Sequence, residues 1–218
     1  MVDINRWTAD FIDKLRAAFG ERLRFAGLQG SYRRGEATEK SDIDMVVVLD
    51  GLTPADLARY RTLVREMPEA DKACGFLCGT MELQAWPAHD RLQLWYDTRP
   101  LFGSLDGLVS PPGGGDVRLA LRVEAANLYH AACHSYVFGS ADDLSALEKG
   151  AFFLLRTKCL AKTGIYAADR RELRSLAGEE DRAVLEARGA ADERFARLIV
   201  WCAGLLEHLG PSGPREEA

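Results

Sequence analysis

Apolar residues recur at every fourth position near the start of the chain: Trp7, Phe11, Leu15 and Phe19. That spacing puts them on one stripe of a helix over 5–19, and Gly20 supplies a stop. The period then shortens. Residues 23–29 read as a first strand ending at Gly30-Ser31, and the β-branched run 43–49 reads as a second. Thr53 and Pro54 supply an N-cap and a first helical position for a helix over 54–66, with Leu57, Tyr60 and Val64 on one side. Residues 79–86 and 91–96 alternate and read as a third and a fourth strand, joined by a turn at Pro87-Ala88-His89-Asp90. Helices interleaved with strands of a mixed sheet predict an α/β (α+β) N-terminal domain.

Beyond residue 110 the alternation stops. Ser110-Pro111-Pro112-Gly113-Gly114-Gly115 has no apolar anchor and reads as a linker. The segments 116–138, 142–163, 169–177, 179–188 and 190–209 all carry helical periodicity. Leu144, Leu147, Ala151, Leu154, Leu155 and Cys159 form the stripe of a bundle helix, and Gly164 closes it. The expected organisation is one domain over 1–110, an all-α helical bundle over 116–209, and a disordered tail over 210–218.

The 218 residues are 47% apolar and 28% charged, the balance of a folded globular chain. The net charge of −5 advertises no long nucleic acid as partner. No run of about 18 apolar residues occurs and no signal pattern opens the chain, so a soluble cytoplasmic protein without membrane contact is expected. The five cysteines are scattered. Cys74 and Cys78 lack a second pair for a zinc site. His130 and His134, one turn apart around Cys133, could hold a metal, although helix residues with reduced, buried or half-buried thiols are the simpler reading.

One stretch carries chemistry. Gly30-Ser31 ends the first strand, a polar connection comes next, and Asp42-Ile43-Asp44 opens the second. Alternation puts both carboxylates on one face, about 7 Å apart, with Ile43 on the other. Two such carboxylates repel unless a cation lies between them. Mg²⁺ suits them, being held commonly by one or two carboxylates plus substrate phosphates. Glycine allows close backbone approach, and the Ser31 hydroxyl offers a phosphate oxygen a donor.

G-S, ten residues, then D-x-D and an apolar strand resembles the signature of the DNA polymerase beta-type nucleotidyltransferase superfamily. The size and layout are most similar to its small bacterial members, which include aminoglycoside (kanamycin) nucleotidyltransferases and minimal nucleotidyltransferases. The motif covers about fifteen residues, and the domain-level resemblance roughly the first half of the chain.

The resemblance implies a nucleotidyltransferase that moves a nucleoside monophosphate from a triphosphate, with ATP as the expected substrate, to an acceptor hydroxyl and releases pyrophosphate. Two Mg²⁺ ions are implied, held by Asp42 and Asp44. A third carboxylate from a neighbouring strand is also implied. Glu82, flanked by Met81 and Leu83, is the candidate, with Asp97 as rival. Gly30, Ser31 and Ser41 would meet the nucleotide. The helical half resembles the bundle that binds the acceptor in several relatives. Glu124 is its candidate base or acceptor contact, and Lys158, among apolar neighbours, its candidate phosphate contact. A small-molecule acceptor is expected, an aminoglycoside-type antibiotic among the choices. The alternative is an antitoxin-like protein adenylyltransferase or an inactive nucleotide-binding module. Oligomeric state is left open.

Overall fold

The computed structural model describes residues 2–211, which divide into two compact units after Pro112. The division falls inside the proline- and glycine-rich stretch at 110–115. The expected tail lies outside the described residues from residue 212 onward.

The first unit opens with α1 (Ile4–Phe19), whose stripe Trp7, Phe11, Leu15 and Phe19 is buried as its spacing demands. Four strands come after it along the chain: β1 (Leu23–Leu28), β2 (Ile43–Leu49), β3 (Ala73–Gly79) and β4 (Arg99–Gly103). They lie in the order β3-β2-β1-β4, with β2 and β3 parallel and the other pairs antiparallel. The sheet is mixed, as expected. Between the strands run α2 (Gly30–Arg34), α3 (Pro54–Arg65), α4 (Thr80–Ala85) and α5 (Leu92–Tyr96).

The sheet is covered on both faces. Ile43, Met45, Val47 and Leu49 pack with the α1 stripe and Leu63, while Val46 and Val48 join Phe25, Cys78, Leu83 and Leu94 on the other face. A strand buried on both faces reads as a near-continuous apolar run, and Met45-Val46-Val47-Val48-Leu49 is one. Thr53 caps α3 in a reciprocal box with Asp56. The Arg22 guanidinium grips Asp56 at 2.7 Å and holds its carboxyl well below the usual range. Leu57, expected inward, is 47% exposed, and Leu63 takes its place in the core.

Two expected strands are helices. Thr80–Ala85 is α4, and strand β3 precedes it over Ala73–Gly79. Alternation over six residues is also met by a short helix when one side chain anchors it: Leu83 is buried, while Met81 is 70% exposed. The true strand, Ala-Cys-Gly-Phe-Leu-Cys-Gly, is rich in small residues that carry little strand signal. Leu92–Tyr96 is likewise α5, burying Leu92 and Leu94, and the sheet is completed by β4. Pro100 sits in β4 because that strand is at the sheet edge.

The second unit contains α6 (Gly114–Phe138), α7 (Leu144–Thr163), α8 (Arg170–Leu176), α9 (Glu179–Glu186) and α10 (Ala191–Leu209), each close to its expected bounds. One core joins Leu121, Ala125 and Leu128 of α6 with Leu147, Leu154 and Leu155 of α7 and with Phe195, Leu198 and Trp201 of α10. No helix among the described residues is long and apolar enough to cross a membrane.

Candidate active site

The end of β1 and the start of β2 lie side by side, with Leu28 opposite Met45. The Gln29 amide donates to the Asp44 carbonyl at 2.8 Å, closing this end of the pair. Here the chain turns at Gly30, whose φ of +70° lies in the left-handed region. A Cβ at Gly30 would overlap the Asp44 carboxylate, with Asp44 Cγ at 2.9 Å. Glycine is therefore required twice, by its backbone angle and by the carboxylate lying on it.

Gly30 opens a short helix rather than a simple turn. Ser31, half-buried, sits in its first turn, where amide groups have no intrahelical acceptor. Gly35 ends it with φ +71°, its N–H turned back to the carbonyls of Ser31 and Tyr32. Ile43 is fully buried between exposed Asp42 and half-buried Asp44. Both aspartates thus belong to the face away from the α1 stripe. Ser41, expected at the nucleotide, is engaged in the local turn: its hydroxyl accepts from the Thr38 amide at 2.8 Å.

The largest departure concerns the third carboxylate. Parallel pairing aligns Asp44 with Cys74 and Leu49 with Gly79, so Glu82, three residues beyond Gly79, lies past the opposite end of β2. Five residues of strand separate the two ends, about 16 Å. Glu82 is exposed, and its carboxylate folds back on Gly79 at the start of α4. It does not join Asp42 and Asp44. Facing Asp44, β3 presents Ala73-Cys74-Gly75. Among the described residues no group of three or more His, Cys, Asp or Glu side chains is arranged to hold a metal.

Asp97 lies at the right end but in another role. It is fully buried and faced by two guanidiniums of α2, Arg34 at 3.0 Å and Arg33 at 3.5 Å. Arg34 also meets Glu36 at 2.9 Å, and Arg33 donates to the Tyr96 carbonyl. This network fastens α2 to the segment entering β4. In the sequence the two cations stand together as Arg33-Arg34, one residue after the Gly-Ser pair.

In the helical unit, Glu124 is a half-buried α6 residue. Its Oε2 is buried without a hydrogen-bond partner, and burial pushes its carboxyl up to about 7 against a smaller opposing effect of Thr157. Lys158 is committed elsewhere than expected: its ammonium pairs with Asp181 at 2.6 Å and lies 5.7 Å from the Trp201 ring. The His130 and His134 rings are 6.2 Å apart on α6. Cys74 is exposed rather than buried, while burial raises the Cys78 and Cys202 thiols to about 12.

Residues 11–76, which hold α1 from Phe11 onward, β1, the Gly-Ser helix and the aspartate strand, match the family profile described as nucleotidyltransferase domain. The first unit carries a nucleotidyltransferase domain. Over 60 residues the chain is 35% identical to a protein of Methanocaldococcus jannaschii named "putative protein adenylyltransferase". That match covers 28% of this chain and 41% of the relative, so the chain spans about two fifths of the relative's length. Around the nucleotidyltransferase domain, the whole chain is similar in fold to spectinomycin adenyltransferase from Enterococcus faecialis, a structure with ATP and spectinomycin. The TM-score is 0.61 at 15% identity, over 95% of this chain and 99% of that one. At that identity the likeness concerns fold, and it includes the helical half.

Proposed function

We propose that the protein is an adenylyltransferase that joins the AMP part of ATP to a hydroxyl of a small-molecule acceptor. The observation that carries this reading is the contact of the Asp44 carboxylate with the Gly30 backbone. It brings the acid of the D-x-D pair and the candidate phosphate-binding turn into one place. The Ser31 hydroxyl and the first amides of α2 would hold the triphosphate. Asp42 and Asp44 would hold Mg²⁺, in the arrangement of two ions expected for this chemistry. Two carboxylates fit that hard cation, which substrate phosphates and water commonly complete. Bound there, it would neutralise charge on the attacking and leaving oxygens.

The acceptor oxygen forms a bond to the α-phosphorus, the bond from that phosphorus to the bridging oxygen breaks, and pyrophosphate leaves. The acceptor's proton needs a base. Glu82 lies past the opposite end of β2, and the carboxylate we assign is Glu124, the base candidate implied by the resemblance of the helical half to acceptor-binding bundles. The fold shared with an antibiotic adenyltransferase supports a small acceptor. The name of the archaeal relative favours a second reading, a protein hydroxyl as acceptor.

The test is pyrophosphate release from ATP and Mg²⁺, with a panel of aminocyclitol and aminoglycoside acceptors in one arm and candidate proteins in the other. Asp42→Asn and Asp44→Asn keep shape and remove charge. Each is expected to lower release by several orders of magnitude with the melting temperature retained. Unchanged release in either variant would reject the assignment.

A further inference from the structure

A groove of about 900 Å³ runs across the helical unit, bounded by residues of α6, α7, α9 and α10. Of the candidate residues for the transfer reaction it holds Lys158, whose ammonium is paired with Asp181. Its floor is apolar: Leu121, Val184, Trp201 and Leu205 line it, each less than a tenth exposed. On its rim Val200 is 70% exposed, which extends the apolar surface outward from the floor.

One end of the groove is cationic. Arg118 lies near the start of α6, Lys162 in the last turn of α7 and His208 in the last turn of α10. These ends meet because the helices run antiparallel: Arg122 of α6 donates to the Leu209 carbonyl just past His208, at 2.7 Å. Arg118, Lys162 and His208 are all exposed, and among the described residues none of them forms an ion pair. The other two basic residues on the wall are committed. Lys158 pairs with Asp181, and Arg197 donates to the Arg188 carbonyl at 2.8 Å. Glu180 is the one acidic residue on the lining, among the described residues. The chain as a whole carries −5, so this cationic cluster runs against its average charge.

A volume of this size falls in the range of small-molecule pockets, which combine an apolar lining with a few placed polar groups. We propose that the groove binds a small amphiphilic carboxylate. Its hydrocarbon body would cover Leu121, Val184, Trp201 and Leu205, and its head would lie among Arg118, Lys162 and His208. A cationic ligand would meet the like charges of Arg118 and Lys162 there. A neutral one would leave them unused.

The proposal is tested by titration calorimetry of the full chain with sodium dodecanoate below its micelle concentration. Dodecanol and dodecyltrimethylammonium, of equal chain length, are the comparisons. Saturable binding is expected for dodecanoate, at least about tenfold tighter than for either, since a charge-assisted contact separates them. The double variant Arg118→Glu, Lys162→Glu should lose that advantage at unchanged melting temperature. Gly204 lines the groove with open space above its Cα, so Gly204→Phe should fill the groove and abolish binding while the helix persists. Equal affinity for dodecanol would reduce the groove to an apolar patch and overturn the proposal. So would the absence of saturable binding, or dodecanoate binding untouched by both variants.

Discussion

The carboxylate of Asp44 lies against the Cα of Gly30, in space that any larger residue would occupy. The Gly30 turn and the Asp44 side chain are therefore one packed unit, and neither can be altered alone. Gly30→Ala should displace Asp44 as well as strain a backbone at φ +70°, which costs a non-glycine residue about 1–2 kcal/mol. We expect the melting temperature to fall modestly and the stabilisation by Mg²⁺ with a non-hydrolysable ATP analogue to disappear. Retention of that ligand-induced stabilisation in Gly30→Ala would argue that Asp44 does not hold the metal.

The buried Asp97 between Arg33 and Arg34 acts on the same turn from behind. Asp97→Asn removes the charge that both guanidiniums face, and breaking a buried ion pair from one side costs about 3–5 kcal/mol. With α2 less firmly held, KM for ATP should rise more than kcat falls. Arg33→Lys keeps a cation beside the carboxylate and should show a weaker form of the same pattern. If Asp97→Asn melts as wild type does and keeps its KM, the network does not position α2.

Glu82 supplies the opposite expectation. It is exposed at the far end of β2 from the aspartates, with its carboxylate turned onto Gly79. Glu82→Gln should leave turnover and Mg²⁺ response within about twofold of wild type, as surface substitutions away from special features do. Loss of turnover in this variant with nucleotide binding intact would restore it as a catalytic carboxylate.

Legibility in the sequence tracks the strength of the local pattern. The Trp7-Phe11-Leu15-Phe19 stripe, the Thr53-Pro54 start and the run Met45–Leu49 each combine periodicity with capping or burial, and each appears where expected. The Gly-Ser and D-x-D residues meet because they sit at adjoining ends of paired strands, a relation carried by their spacing. The edge of the site is not legible. Glu82 looks central in a strand because Met81-Glu82-Leu83 alternates, yet three residues cannot separate strand from helix. Once Ala73–Gly79 takes the strand, Glu82 passes beyond the wrong end of the sheet. Asp97 looks solvated because its arginine partners lie more than sixty residues away in sequence, a distance no local pattern bridges.

Glu124 gives a pH signature that separates burial from catalysis. Burial raises its carboxyl from an ordinary 4.5 to about 7. Between those values the folded chain retains a proton that the unfolded chain has released, so stability must fall as pH rises through the window. The full loss is about 3 kcal/mol by pH 8, since each tenfold change in proton affinity is worth about 1.4 kcal/mol. Below pH 4.5 both states are protonated and the penalty vanishes. Glu124→Gln cannot ionise, so it should flatten the melting-temperature profile between about pH 5 and 8 and be more stable than wild type at the upper end. Catalysis should take the opposite course: a base works when deprotonated, so kcat/KM should climb through about pH 7 in wild type and lose that rise, with most of its magnitude, in Glu124→Gln. A variant that flattens the stability profile yet keeps the rise in kcat/KM would leave Glu124 a buried acid and move the base elsewhere. Identical stability profiles for the two proteins would remove the burial argument itself.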